Sequence, residues 1–357
     1  MKILVISLAG IGDAFLATPL IHELRLNFPT ATIDALVRWA GARDLLESNP
    51  HLNRVHQQNL IEASPAKALK CLWQLRRERY DVSFNTYPQS KIHYRFVAWL
   101  IKASQRLSHA YDNSSALDRW LVNRTVPQDY ALHSIENNLR LLSLLGVGPK
   151  LPNHDPEIFL SPEELKWARD FAGGAQLAGK KIVGVHVGSG KTKNLELRRW
   201  PLDNYISLLK QLLGADPHAA VLLFGGPDER EDHERILAET RPHPVQVAPS
   251  KNLRQAAALL QKCDVFLSVD TALMHLAAAV KTPAQIVIET MTFNPTMEPY
   301  RRPYVLIRNP NLQGRNLEYY RYDGRGIRGS ADELLACMRA ITVEDVLRQV
   351  RKAIGAG

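Results

Sequence analysis

Lys2-Ile3-Leu4-Val5-Ile6-Ser7-Leu8-Ala9-Gly10-Ile11-Gly12-Asp13 opens the chain. An apolar run closed by two glycines and an acid reads as a buried strand over 2–8 and a tight turn into a helix over 14–28. A further apolar run, 31–37, reads as the next strand, so the opening is a β-α-β unit. Strands at 81–87 and 105–110, with helices near 66–79, 91–102 and 132–145, continue the alternation. Such alternation builds a parallel sheet with helices on both faces and places ligands beyond the carboxyl ends of the strands.

The pattern breaks between 146 and 162, where Gly146, Gly148, Pro149, Pro152, Pro156 and Pro162 mark an interdomain connection. It then resumes, with strands at 181–187, 219–225, 244–247, 264–269 and 284–289 and helices near 202–213, 229–239, 253–260 and 272–280. A closing helix, 343–354, carries Val343, Val346, Leu347, Val350 and Ile354 at helical spacing. The expectation is an α/β chain of two Rossmann-like halves facing each other across a cleft. Its parts are an N-terminal domain, 1–150, a C-terminal domain, 151–340, and a last helical segment, 341–357, returning toward the first domain.

Composition agrees with two domains, because 357 residues exceed what one hydrophobic core usually holds. Hydrophobic residues at 45% and charged residues at 23% exclude a disordered chain. Cys71, Cys263 and Cys337 lie far apart with no zinc or disulfide spacing, so a reducing compartment and no metal site are expected. Lys2 and the apolar stretch after it imitate a short signal peptide, but Asp13 interrupts the run and no convincing cleavage site follows. Asp270 and His275 break the best candidate for a membrane span, 265–280. The net charge of +9 suits phosphates, nucleic acid or an anionic lipid surface, and does not choose among them.

The turn at Gly10 to Asp13 fails as a dinucleotide fingerprint. Phe15 stands where the third glycine belongs, and no acid ends the second strand, where Val37-Arg38-Trp39 lies. An acid in this turn would also repel a pyrophosphate. Asp13 is therefore either a group facing an acceptor hydroxyl or a plain helix N-cap. Gly188-Ser189-Gly190-Lys191-Thr192 likewise fails as a P-loop, since Val185 replaces its first glycine. What remains is a glycine-hydroxyl turn with Lys191, Lys193, Arg198 and Arg199 ahead of Trp200-Pro201. That cluster suits a diphosphate, or is a solvated basic loop. Glu229, after Gly225-Gly226-Pro227, would bind ribose hydroxyls or complement a helix dipole. Asp270-Thr271-Ala272-Leu273-Met274-His275 passes from a strand into a helix, where free N–H groups can hold phosphate oxygens. His275 lies about one turn beyond Thr271, as a ligand contact or as a buried core histidine.

Together these segments resemble glycosyltransferase family 9, the ADP-heptose:lipopolysaccharide heptosyltransferases. The resemblance rests on Gly10-x-Gly12-Asp13-x-x-Leu16-x-Thr18-Pro19 and on Asp270-Thr271-x-x-Met274-His275-x-Ala277-Ala278 followed by Thr282-Pro283. Trp200-Pro201, Gly225-Gly226-Pro227-x-Glu229 and Ile341-Thr342-Val343-Glu344-Asp345-Val346 also fit. It implies a GT-B fold, with the acceptor on the N-terminal domain (Gly10, Gly12, Thr18) and a nucleotide sugar on the C-terminal one. The donor contacts would be Ser189, Lys191, Lys193, Glu229, Asp270, Thr271, Ala272 and His275. It implies inversion without a divalent metal or other cofactor, Asp13 acting as general base and Arg198 as the cation at the departing diphosphate. The family commonly has lysine two residues before the Trp-Pro pair, where this chain has Arg198, and Asp-Thr-Gly where it has Asp270-Thr271-Ala272.

The implied reaction moves a heptose or related sugar from an ADP-linked donor to a lipopolysaccharide-core or other glycan acceptor. It would take place in the cytoplasm or at the inner face of the cytoplasmic membrane. The segment 91–106 mixes Lys91, His93, Arg95, Lys102 and Arg106 with Tyr94, Phe96 and Trp99. That mixture suits an anionic membrane surface, and equally an ordinary amphipathic helix. The alternatives are another donor and acceptor, a sugar-nucleotide epimerase of the same shape, or a basic lipid- or nucleic-acid-binding protein. No recognised nucleic-acid motif is present, so no such partner is expected.

Overall fold

The computed structural model describes residues 1–190, 192–312, 320–321, 326–327 and 330–355, of which 192–194, 320–321 and 326–327 are described by their backbone alone. It divides into two compact units, the first Met1–Phe159 and the second taking the described residues from Leu160 onward.

The first unit is built on six parallel strands: β1 (Lys2–Ser7), β2 (Thr32–Val37), β3 (Arg54–Gln57), β4 (Val82–Asn85), β5 (Gln105–Ala110) and β6 (Arg124–Pro127). Their order is β3-β2-β1-β4-β5-β6. The centre of the sheet is the opening run of the chain, Ile3 to Ile6, fully buried between helical layers. Helices Pro65–Arg77 and Ile92–Ile101 cover one face, joining Leu72, Leu75, Val97 and Ile101 to Leu4 and Ile6 in one core. The topology reverses at β1 and β4, which makes their carboxyl ends the crevice where an open α/β sheet receives ligands.

The second unit repeats the plan with β7 (Lys181–His186), β8 (Ala219–Phe224), β9 (Val245–Val247), β10 (Val265–Ser268), β11 (Ala284–Ile288) and β12 (Val305–Ile307), all parallel. Its order, β12-β11-β10-β7-β8-β9, is the same topology, so β7 and β10 form its switch point. Gly184 in β7 is where Cys263, Phe224 and Phe266 close in. A Cβ there would stand 2.9 to 3.1 Å from all three.

Two particulars differ from the sequence reading. The connection after 150 belongs to the first unit, because buried Glu23 accepts the backbone N–H groups of Lys150 (2.8 Å) and Leu151 (2.7 Å) and faces His154 (3.1 Å). The last helix, Val343–Ile354, expected to return toward the first domain, buries Val346, Val350 and Ile354 and packs on helix Leu202–Ala215, β10 and β11 of its own unit. Trp200 fixes its approach by donating Nε1–H to the Ile341 carbonyl at 3.0 Å.

Candidate active site

In the first unit, Gly10 is the N-cap of the short helix Ile11–Phe15, which corrects the reading of Asp13 as that cap. Asp13 lies in the helix's first turn, partly exposed, where a carboxylate is favoured by the helix dipole. Its carboxylate folds back over Gly10, so that a Cβ at residue 10 would stand 2.7 Å from Asp13 Oδ2. Gly10 itself has extended backbone (φ −119°) that any residue adopts. The glycine is thus needed for space, not for conformation.

The loop carrying this pair is fastened by Trp39 and Gln89, and Tyr111 in turn holds Gln89. Trp39, after β2, donates Nε1–H to the Ala9 carbonyl at 2.9 Å. Gln89, after β4, donates to the Ile6 and Thr86 carbonyls and accepts the Leu8 N–H at 3.3 Å. Tyr111, after β5, accepts the Gln89 N–H at 2.8 Å. Burial, with the Asp13 charge as the next cause, pushes the Tyr94 phenol up to about 12, so it stays protonated. Burial likewise raises Tyr111, and Asp13 contributes. Arg38 lies over the Trp39 ring at 4.2 Å and pairs with Glu62 at 3.3 Å.

Gly12 is partly exposed beside Asp13. Thr18, expected among the acceptor contacts, is fully buried; its hydroxyl donates to the Phe15 carbonyl (2.8 Å) and accepts the Glu157 N–H (2.9 Å). It ties the helix to the chain near 157.

In the second unit, Thr271 is the N-cap of helix Ala272–Ala279, but its hydroxyl makes no cap bond and stands 3.3 Å from His186 Nδ1 at the end of β7. Burial drives His186 down to about 3, keeping it neutral. The helix's first amides, from Ala272 on, therefore have no capping side chain at the β7/β10 switch point, the arrangement that receives phosphate oxygens. His275 is buried within that helix.

Asp270 is wholly buried and turned inward. Oδ1 accepts from Thr290 (2.8 Å), and Oδ2 accepts from Thr292 (2.9 Å) and from Arg198 Nη1 (2.9 Å). Its described contacts are with protein groups, and its effect is to hold Arg198, itself only 7% exposed. Glu229 is also buried. It accepts the Gly226 N–H at 2.8 Å and pairs with Arg199 at 3.0 Å, and burial raises its carboxyl. Gly188 makes room for it, since a Cβ there would overlap the Glu229 carboxylate. Ser189 donates to the Leu195 carbonyl, and its own carbonyl accepts from Arg199. Lys191 and the side chain of Lys193 lie outside the described residues. Sequence reasoning missed Trp39, Gln89, Tyr111, Thr290 and Thr292, whose only signal is that they follow strands.

Among the described residues, the group of side chains with metal-ligating atoms close together is His22, His51 and Glu157, all in the first unit. No described helix is long and apolar enough to cross a membrane.

Residues 69–320 match the model of glycosyltransferase family 9 (heptosyltransferase). The lipooligosaccharide heptosyltransferase 2 of Haemophilus influenzae is 26% identical over 316 residues, covering 85% of this chain and 86% of that protein. The family 9 glycosyl transferase of Veillonella parvula superposes with a TM-score of 0.75 at 18% identity, covering 100% of this chain and 97% of that one. The ADP-heptose lps heptosyltransferase II of Escherichia coli does so at 0.71 and 21%, covering 99% and 98%. With two six-stranded parallel sheets of GT-B type and a matching sequence across most of its length, the chain belongs to glycosyltransferase family 9, the heptosyltransferases.

Proposed function

We propose that the chain transfers a heptose from an ADP-activated donor to a lipopolysaccharide-core acceptor, inverting the anomeric carbon without a divalent metal. The observation that carries this reading is the Asp13 carboxylate, held over Gly10 at the sheet's switch point by a loop pinned to Trp39 and Gln89. Asp13 takes the proton from the acceptor hydroxyl as that oxygen attacks the sugar, and the diphosphate leaves with its electron pair. The uncapped start of helix Ala272–Ala279 and the Thr271 hydroxyl hold the diphosphate, with Arg198 supplying positive charge from a fixed position. The related proteins named for heptose transfer, one of them for ADP-heptose, support the choice of sugar and nucleotide.

Asp13→Asn keeps the shape and removes the base. Turnover with ADP-heptose and a core acceptor should fall by about 10² to 10⁴ while donor affinity holds. Normal turnover in that variant removes Asp13 as the base, and sugar isomerisation without acceptor would replace transfer by epimerisation. The acceptor's lipid anchor further suggests that the enzyme works on the anionic inner face of the cytoplasmic membrane, through the exposed aromatic and basic face of helices Pro65–Arg77, Ile92–Ile101 and Ala116–Leu121.

A further inference from the structure

His22 projects from helix Thr18–Asn27, His51 precedes β3, and Glu157 lies in the chain just before the second unit. The spacing of these residues in sequence carries no metal signal, and the fold alone brings them together. The two imidazoles stack at 3.8 Å between centroids, nearly parallel at 14°. Both turn a nitrogen to the same carboxylate. His22 Nδ1 is 2.9 Å from Glu157 Oε1, and His51 Nε2 is 3.8 Å from Oε2. The second distance is too long for a hydrogen bond. Glu157 Oε2 is accordingly buried with no hydrogen-bond partner, an uncommon condition for a carboxylate oxygen.

We propose that His22, His51 and Glu157 bind a divalent first-row transition ion of the zinc class. One ligand atom from each lies within 4.8 Å of the others. An ion held at about 2.0 Å needs neighbouring donors about 3.3 Å apart, so the site closes by a side-chain shift of about an ångström. Two imidazoles and one carboxylate are the donor set for such an ion, with solvent completing the coordination. The three side chains are 17 to 27% exposed, which leaves an entry path. Arg25, the neighbouring cation, is anchored elsewhere by the Pro29, Ala31 and His51 carbonyls and by Asn53. Phe159 packs edge-on against His51 and covers one side.

The site lies toward the amino end of β3, whereas Asp13 follows the carboxyl end of β1. Its ion therefore acts as a clip. It joins the chain near 157 to helix Thr18–Asn27 and the approach to β3, reinforcing the hold of Glu23 on Lys150 and Leu151.

The test uses full-length, tag-free protein stripped with chelator and desalted, titrated with Co²⁺ or Zn²⁺ alone. Calorimetry, Co²⁺ d–d absorption and the melting temperature are the readouts. One equivalent should bind with ligand-field bands, and the melting temperature should rise with metal concentration. His51→Ala and Glu157→Gln should each weaken binding by at least about tenfold, whereas His154→Ala, in the same segment but paired to Glu23, should bind as wild type. Should either variant fail to fold by circular dichroism, His22→Gln is measured in its place. Absence of a single-site isotherm tighter than roughly 100 μM, or full binding in the ligand variants, overturns the assignment.

Discussion

Arg198 and Asp270, 72 positions apart, form an ion pair at 2.9 Å with side chains 8% and 0% exposed. Thr290 and Thr292 complete the hydrogen bonding of the carboxylate, so the charge is satisfied entirely within the protein. Asp270→Asn would leave the guanidinium buried without its counter-charge, a loss of about 3 to 5 kcal/mol in such settings. The double variant Arg198→Met/Asp270→Asn should recover much of that stability and remain without transfer activity. Urea denaturation of both singles and the double measures the coupling. Strictly additive losses would show that the two charges do not depend on each other.

A methyl group at residue 10 would compete with Asp13 Oδ2 for the same space, at 2.7 Å. The group in the way is the tip of a partly exposed side chain, not packed core, so Gly10→Ala should cost little in melting temperature. Displacing a base by about an ångström is enough to slow turnover by about 10²-fold. The expected result is a fall in kcat with the KM for donor held. Unchanged kcat would mean that the carboxylate works from some other position.

The parts of this architecture that could be read from sequence are those with local causes. Strands β1, β2, β7, β8 and β10 are buried almost throughout and appear as mainly apolar runs, with Asp34 interrupting β2. The edge strands Arg54–Gln57 and Arg124–Pro127 escaped notice because their residues are half or fully exposed and need not be apolar. Helix Ala40–Leu46, short and without a capping side chain, carries little signal either. At the site, Gly10 and Asp13 were legible because three residues settle their relationship. The inward turn of Asp270 was not, since Thr290, Thr292 and Arg198 reach it only through the meeting of strands. Thr18 shows the opposite case: its place in a motif suggested the acceptor, while its burial and its bond to Glu157 make it a fastener.

His109 is fully buried with its Nε2 2.9 Å from the Asn137 carbonyl, and burial lowers it from 6.5 to about 4; His186 is lowered to about 3. Both are neutral in the fold and ordinary in the unfolded chain, so below pH 6.5 the unfolded state binds more protons. Their stabilisation is complete above that pH and is lost as pH falls through about 4 for His109 and about 3 for His186. Each adds a slope of up to about 1.4 kcal/mol per pH unit within that window. His109→Gln keeps a donor for Asn137 without a titrating group. Urea midpoints between pH 7 and 5 should therefore fall less steeply in this variant, and a slope equal to wild type would contradict the neutral assignment.

The exposed face of the first unit supplies the last expectation. Leu69 and Trp73, Ile92 and Phe96, and Leu117 and Trp120 are 45 to 61% exposed on three helices packed side by side. Phe96, Trp99 and Trp120 form a chain of rings with centroids 5.5 and 5.1 Å apart. Lys67, Lys70, Arg77, Lys102 and Arg119 are exposed on or beside the same helices. A monomer gains nothing by showing water so many large apolar side chains, whereas a bilayer interface accepts the rings and its anionic lipids attract the cations. Sedimentation with phosphatidylglycerol-containing vesicles should pull the protein down, with phosphatidylcholine vesicles doing so less and added salt weakening the binding. Trp73→Ala/Trp120→Ala should lower the partition by at least about tenfold, because each exposed ring gives up its buried apolar area. Activity on a soluble acceptor fragment should survive those substitutions, since neither ring takes part in the site around Asp13. Equal partition of variant and wild type, or equal binding to both vesicle types, would remove this face as the membrane contact.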